Sequence, residues 1–254
     1  MSSKGDYIGV FDSGVGGISV LRELMALMPR ERYLYFGDSA NAPYGQRSSD
    51  EILRLTMHAA ELLMARGVKA LVLACNTATA VAVEALRSRY PEKIIIGIEP
   101  ALKLAADHFP GKKIGVLATP VTLREEKFCH QMERFSDVQV VTVPITGLVE
   151  LVEEGKADSP EAEALLRQQF APYRGKLDAV VLGCTHYPFA AKAISRVLGE
   201  SVALLDGGKG TARETKRRLE GLGLLWDGPG ELQIENSSLD PEILQRCMEM
   251  LTNT

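Results

Sequence analysis

Short apolar runs rich in β-branched and aromatic residues alternate with stretches whose apolar residues return every three or four positions, and this continues along almost the whole chain. The runs are YIGVF, RYLYF, VKALVLA, KIIIGI, KKIGVLA, DVQVVTV, LDAVVLG and SVALL. Strand-like runs alternating with helical patterns predict a parallel α/β fold. Ser48 followed by Glu51 can form a capping box, opening a helix with Ile52, Leu55, Ala59, Leu62 and Leu63 on one face and a stop at Gly67.

Two sequence echoes organise these elements. IGVFDSGVGG from Ile8 is matched by IGVLATPVT from Ile114, and ALVLACNTAT from Ala70 by AVVLGCTHYP from Ala179. A repeat in this order predicts two similar α/β units with a break near Gly97 to Ala101. Two repeats are too few for a solenoid, so the expectation is two pseudo-symmetric lobes with the active site in the cleft between them. Ligands of open parallel sheets bind at the carboxyl ends of the strands, where Cys75 and Cys184 both fall. Each cysteine precedes a helical pattern, and the second pattern is opened by Pro188. A helix N-terminus there would favour a thiolate.

Composition narrows the chemistry. The chain has 254 residues, 46% of them hydrophobic, enough for a substantial core. A net charge of -4 with interspersed signs supplies no field for a polyanion, and Lys216, Arg217 and Arg218 are flanked by Glu214 and Glu220 as on a solvated helix face. Nucleic acid is not an expected partner. No apolar run reaches the roughly 20 residues of a membrane span, and MSSKGD lacks the apolar core of a secretory signal, so the expectation is a cytoplasmic protein without a membrane partner. Four widely spaced cysteines without a C-x-x-C read as free thiols. Cys129 and Cys247, inside helical patterns, read as small buried hydrophobes. Cys75 and Cys184 read differently, because Asn76-Thr77 and Thr185-His186 follow them and a packed core accepts such groups only with partners. Ordinary packing or solvent contact suffices for His58, His108 and His130.

Asp12 ends the first strand, where it can cap the next helix, act in catalysis, or do both. The loop GVGGIS, with Asp38 about 20 residues on, resembles a dinucleotide site, but Ser19 takes the third glycine position and a long polar loop follows the acid. Glycines at such a turn also let backbone approach a carboxylate ligand, which is the favoured reading. Lys69 and Lys113 lack the context of a Schiff base, and no cofactor is expected. Two thiols across a carbon atom suit racemisation: one thiolate removes the α-proton while the opposing thiol protonates the other face, with Asp12 and His186 available as proton carriers.

FDSGVGG, APYG, ACNTAT and GCTHYP, in this order, resemble the cofactor-independent glutamate racemases of the aspartate/glutamate racemase superfamily over roughly Ile8 to Leu222. The resemblance implies Cys75 as the base toward D-glutamate and Cys184 as the base toward L-glutamate, assisted by Asp12, Glu153 and His186. It implies substrate contacts at Asp12, Ser13, Tyr44, Gly45, Asn76, Thr77, Thr185 and His186. It further implies a first lobe of residues 1–98 with 207–254, a second of residues 99–206, a homodimer, and supply of D-glutamate for peptidoglycan. Thr119 and Thr122 keep the family pattern, whereas Glu125 and Phe128 stand where serine and tyrosine are common and Glu150 where proline is. LLDGGKG replaces a more usual Asp-Ser-Ala. The alternatives are an aspartate racemase, told apart by a substrate panel; a nucleotide-binding oxidoreductase, which would retain a dinucleotide; and an amino-acid-binding module, which would bind glutamate without exchanging its α-proton.

Overall fold

The computed structural model describes residues 7–99, 101–124 and 138–252, so Glu125, Phe128, Cys129 and His130 lie outside the described residues. Each of the eight apolar runs forms a strand: β1 Tyr7–Asp12, β2 Arg32–Gly37, β3 Ala70–Leu73, β4 Ile94–Gly97, β5 Lys113–Ala118, β6 Gln139–Pro144, β7 Ala179–Leu182 and β8 Ala203–Asp206. A ninth, β9 Glu231–Asn236, was not among them. The chain divides into two compact units, Met1–Glu99 with Gly208–Thr254, and Pro100–Gly207.

The sheet of the first unit has the order β4-β3-β1-β2-β9 and that of the second β6-β5-β7-β8, with every pairing parallel. The central strands β3 and β7 are buried along their whole length, whereas β9 and β6, at sheet edges, are half exposed. Continuous apolar runs therefore mark the interior of each sheet, where helices cover both faces. The repeat extends to register: Ile8 pairs with Ala70, and their counterparts Ile114 and Ala179 pair in the same way. In each unit the first strand lies between the second and the third, so the strand order reverses beside the first strand. Ligand crevices of open α/β sheets form at such a reversal, at the carboxyl ends of the strands.

Helix α1 is Ile18–Leu27, α2 is Ser49–Ala65 and α3 is Asn76–Arg89. The capping box of α2 is present in full, with Ser48 Oγ accepting from the Glu51 N–H and the Glu51 carboxylate accepting from the Ser48 N–H. Gly67 follows with φ of 76°, the left-handed conformation that ends a helix at little cost only for glycine. The buried face of α2 is Ile52, Leu55, Thr56, Ala59, Ala60 and Leu63. Leu62 is exposed, a correction to the predicted face, because at 100° per residue it falls on the edge opposite Ala60. In the second unit the helix Pro160–Phe170 packs on the helix Ala191–Leu198. The helix Gly208–Gly221 crosses back to the first unit and packs on α1, and Cys247 is buried in the terminal helix Pro241–Thr252. No helix among the described residues is long and apolar enough to cross a membrane.

Candidate functional site

The first unit gathers its polar residues at the carboxyl ends of β1 and β3, beside the reversal of strand order. Asp12 ends β1 with no exposed surface, and its Oδ1 accepts the N–H of Gly14 at 3.0 Å. It stiffens the glycine loop rather than capping α1, whose N-cap is Gly17 without a side-chain bond. That corrects the capping reading, because the loop turns back on the acid before the helix begins. The turn also explains one glycine: a Cβ on Gly17 would stand 2.5 Å from the Asp12 Cβ and 3.1 Å from the Ala74 Cβ. The loop is thus pressed against the strand ends, and any side chain there would displace Asp12.

Cys75 is the N-cap of α3, and its Sγ accepts the N–H of Ala78 at 3.4 Å. Ser13 Oγ lies 3.2 Å from the same Sγ, close enough for either atom to donate. The positive end of a 14-residue helix and a hydroxyl together favour negative charge on this sulfur. Asn76 and Thr77 open α3 and are buried, and neither the Oδ1 nor the Nδ2 of Asn76 has a hydrogen-bond partner among the described residues. An amide buried with both atoms unpaired costs about 1–3 kcal/mol, which a ligand offering both donors and acceptors would recover. Tyr44 is buried against Phe11, with ring centroids 6.3 Å apart. Burial, the hydrogen bond to Asp38 and the negative charges of Asp38, Cys75 and Asp12 hold the Tyr44 hydroxyl protonated, far above its ordinary value of 10. The N–H groups of Tyr44 and Gly45 donate to nothing among the described residues.

Asp38 was weighed in the sequence only as a ribose acceptor. Its carboxylate is buried and accepts the Tyr44 hydroxyl at 2.6 Å and the Asn41 amide at 3.0 and 3.2 Å. The acid is engaged inside its own loop, so the glycine loop lacks the outward carboxylate a dinucleotide site needs. Lys69 is likewise committed, its Nζ donating to Glu31 at 2.7 Å and to the Leu224 carbonyl at 2.8 Å.

The second unit carries a different set at the carboxyl end of β7. Cys184, Thr185 and His186 are all buried. His186 Nδ1 lies 3.7 Å from the Cys184 Sγ, and its Nε2 lies 2.9 Å from Glu153 Oε1, at the end of the helix Leu148–Glu153. Burial works to lower the His186 pKa, but hydrogen bonds and charge attraction from Cys184 and Glu153 outweigh it and hold the ring well above 6.5. An imidazolium between a carboxylate and a sulfur is a proton reservoir for that sulfur. Cys184 does not open a helix as Cys75 does: a 3₁₀ turn, Tyr187–Ala190, precedes the helix Ala191–Leu198. This corrects the expectation drawn from Pro188, since helix-end charge fades within one turn and His186 supplies the positive charge instead.

Sequence reasoning passed over Tyr187, which is buried next to His186 and donates to the Ile145 carbonyl at 3.3 Å. Its place in THYP was the available signal. Thr119 and Thr122 bond to each other, hydroxyl to hydroxyl, at 3.0 Å, beyond the carboxyl end of β5. The structure thus brings Asp12, Ser13, Tyr44, Gly45, Cys75, Asn76 and Thr77 to one end of the first sheet, and Glu153, Cys184, Thr185 and His186 to the corresponding end of the second.

Comparison with known proteins agrees along the chain. The sequence profile described as Asp/Glu/Hydantoin racemase matches residues 8–215. A glutamate racemase of Clostridium kluyveri is 50% identical over 221 residues, 86% of this chain and 86% of that protein. One from Clostridium botulinum is 43% identical over 258 residues and spans both chains in full. The crystal structure of glutamate racemase from Francisella tularensis in complex with D-glutamate superposes with a TM-score of 0.86 at 27% identity, covering 98% of this chain and 94% of that one. Both the shared profile and this length of close similarity to curated enzymes carry the same conclusion: the chain belongs to the Asp/Glu/Hydantoin racemase family, among its glutamate racemases.

Proposed function

We propose that this isomerase interconverts L-glutamate and D-glutamate by a two-thiol proton transfer at the α-carbon, with Cys75 and Cys184 serving opposite faces. The observation that carries the reading is the duplication of a buried thiol two residues beyond the third strand of each unit, one beside the Ser13 hydroxyl and the other beside the His186 ring. A thiolate at Cys184 takes the α-proton of L-glutamate, and the thiol of Cys75 delivers its proton to the opposite face of the carbanion. The reverse direction exchanges these roles. Each turnover leaves the proton on the other sulfur, so Asp12 on one side and His186 with Glu153 on the other return the pair to its starting state.

The Asn76 amide and the N–H groups of Tyr44 and Gly45, which have no hydrogen-bond partner among the described residues, support a substrate with carboxylates and an ammonium group. With Ser13, Thr77 and Thr185 these hold glutamate so that its α-carbon faces the sulfurs. The reading extends to a cytoplasmic homodimer that supplies D-glutamate for peptidoglycan, as the family resemblance implies.

Circular dichroism of the purified protein with L-glutamate and no added cofactor tests it. The signal decays to zero, and Cys75→Ala or Cys184→Ala each slow both directions by about 10²-fold or more, because each direction needs one thiolate and one thiol. In deuterated water, product formed from either enantiomer carries deuterium at the α-carbon. Racemisation at an undiminished rate in either variant, or a preference for aspartate in a substrate panel, would sink the reading.

A further inference from the structure

We propose that Asp38 is a positioning residue for the substrate loop, residues 38–47, and that it acts through the hydroxyl of Tyr44. The inference rests on the glutamate racemase reading, in which that loop offers Tyr44 and Gly45 to the substrate.

The loop is fastened at its start and braced within itself at its end. The N–H of Asp38 donates to the Asp12 carbonyl at 2.9 Å, which carries the start of the loop alongside the catalytic strand β1. Asn236, at the end of β9, donates its amide to Ser39 Oγ at 2.9 Å, and the N–H of Ala40 donates to Ser237 Oγ at 3.0 Å. At the far end Arg47 Nε donates to the Asn41 carbonyl at 2.7 Å. Between these ties the loop turns through Pro43, Tyr44 and Gly45, and the Tyr44 hydroxyl reaches back to the Asp38 carboxylate.

An ionised carboxylate is a costly group to bury, and packing alone would be served by an apolar or amide side chain. Here three hydrogen bonds from neutral donors offset that cost, and all of them come from the loop that Asp38 begins. What the acid fixes is direction. The single proton of the Tyr44 hydroxyl is committed to Asp38, so the ring is held in one orientation against Phe11 and the backbone of Tyr44 and Gly45 is held with it. The N–H groups of these two residues then stand preorganised for a carboxylate of the substrate. Losing the tie loosens ground-state and transition-state binding alike, so the loss falls on KM.

The test is a double-mutant cycle in the whole protein, followed by steady-state racemisation of each enantiomer and by thermal melting. Asp38→Ala raises KM for both enantiomers on the order of tenfold while kcat stays within about threefold. Tyr44→Phe raises KM in the same direction by up to the same factor, and the double variant is no worse than Asp38→Ala alone, because the Tyr44 bond is already lost there together with those from Asn41. Asp38→Asn, which keeps a carbonyl acceptor, restores most of the KM. An unchanged KM in Asp38→Ala, or losses that multiply in the double variant, overturns the proposal. If Asp38→Ala does not fold, Tyr44→Phe decides alone, and an unchanged KM there overturns it. Absence of turnover in the unaltered protein overturns the parent reading and this one with it, whereas failure of this proposal alone is read against an active unaltered protein.

Discussion

Under the repeat that pairs Ile8 with Ile114 and Ala70 with Ala179, Asp12 corresponds to Ala118, Ser13 to Thr119 and Thr77 to His186. The two sulfurs therefore share a backbone position and differ in their assistants. Cys75 has a hydroxyl and a helix end, whereas Cys184 has an imidazole backed by Glu153. The second arrangement is sensitive to pH. Because the folded protein holds the His186 pKa above its ordinary 6.5, the charged ring contributes stability that is complete below about pH 6.5 and is lost as pH rises through the raised value. Nitrogen NMR of the histidine rings should show His186 titrating above 6.5, and Glu153→Gln should bring that midpoint down by removing one of the groups that raises it. A midpoint at or below 6.5, or one that ignores the substitution, would mean that the Glu153 contact does not govern the proton on this ring. The cysteines, their polar followers and Asp12 were legible in the sequence because polar residues at the ends of apolar strands contradict simple packing. The structural role of Asp38 was not, since a hydrogen bond that closes a loop on itself leaves no periodic trace.

Elements were legible where their signal was local. The capping box at Ser48 and Glu51 and the stop at Gly67 are set by neighbours in sequence, and both formed as read. The 3₁₀ turn after His186 was hidden because Pro188 suits the first turn of either helix type. β9 escaped because ELQIEN is a polar edge strand, identified by its partner β2 rather than by its own composition. That pairing is reinforced outside the ladder. Arg32 and Gln233 both donate to the Glu231 carboxylate, and Arg32 lies over the Tyr7 ring with its guanidinium carbon 4.2 Å from the centroid. Hydrogen bonds from Tyr7, Gln233 and Arg32 pull the Glu231 pKa down from 4.5 to about 2. A lowered folded value means support for β9 that is present above about pH 4.5 and fades as pH falls towards 2. The group is at the surface, so salt weakens the effect. Amide exchange at residues 231–236 should lose protection over that acid window in the unaltered protein, and Glu231→Gln should remove the part of the loss that is specific to this strand. The same acid loss in the Gln variant would point to a different carboxylate.

At the scale of the whole molecule, one unit is continuous in the chain and the other is not. Pro100–Gly207 forms a sheet from neighbouring segments, whereas the first unit takes β9 from beyond it, across the 133 residues that lie between Gly97 and Glu231. Apolar periodicity reports each strand by itself and carries no record of this return, which is why the eight apolar strands could be read and the polar β9 could not. The return also ties the loop of residues 38–47 to Asn236 and Ser237.

On the ribosome the late arrival of β9 becomes a matter of timing. At about 5–20 residues per second, the interval between β4 and β9 lasts on the order of ten seconds. Throughout it β2 is an open parallel edge, and an open edge invites pairing with another chain. The inserted unit has all its strands by Asp206, before β9 begins at Glu231, and can close first. A nascent chain ending at Gly223 and continued by a linker long enough to bring Gly223 clear of the exit tunnel should therefore show protease resistance in β5 to β8 and cleavage within β1 to β4, while one arrested with β9 clear of the tunnel should resist in both. Equal resistance of both regions in the shorter chain would show that the first sheet does not wait for its edge. Six residues at the far side of the insertion thus set when the growing chain stops being a partner for its neighbours.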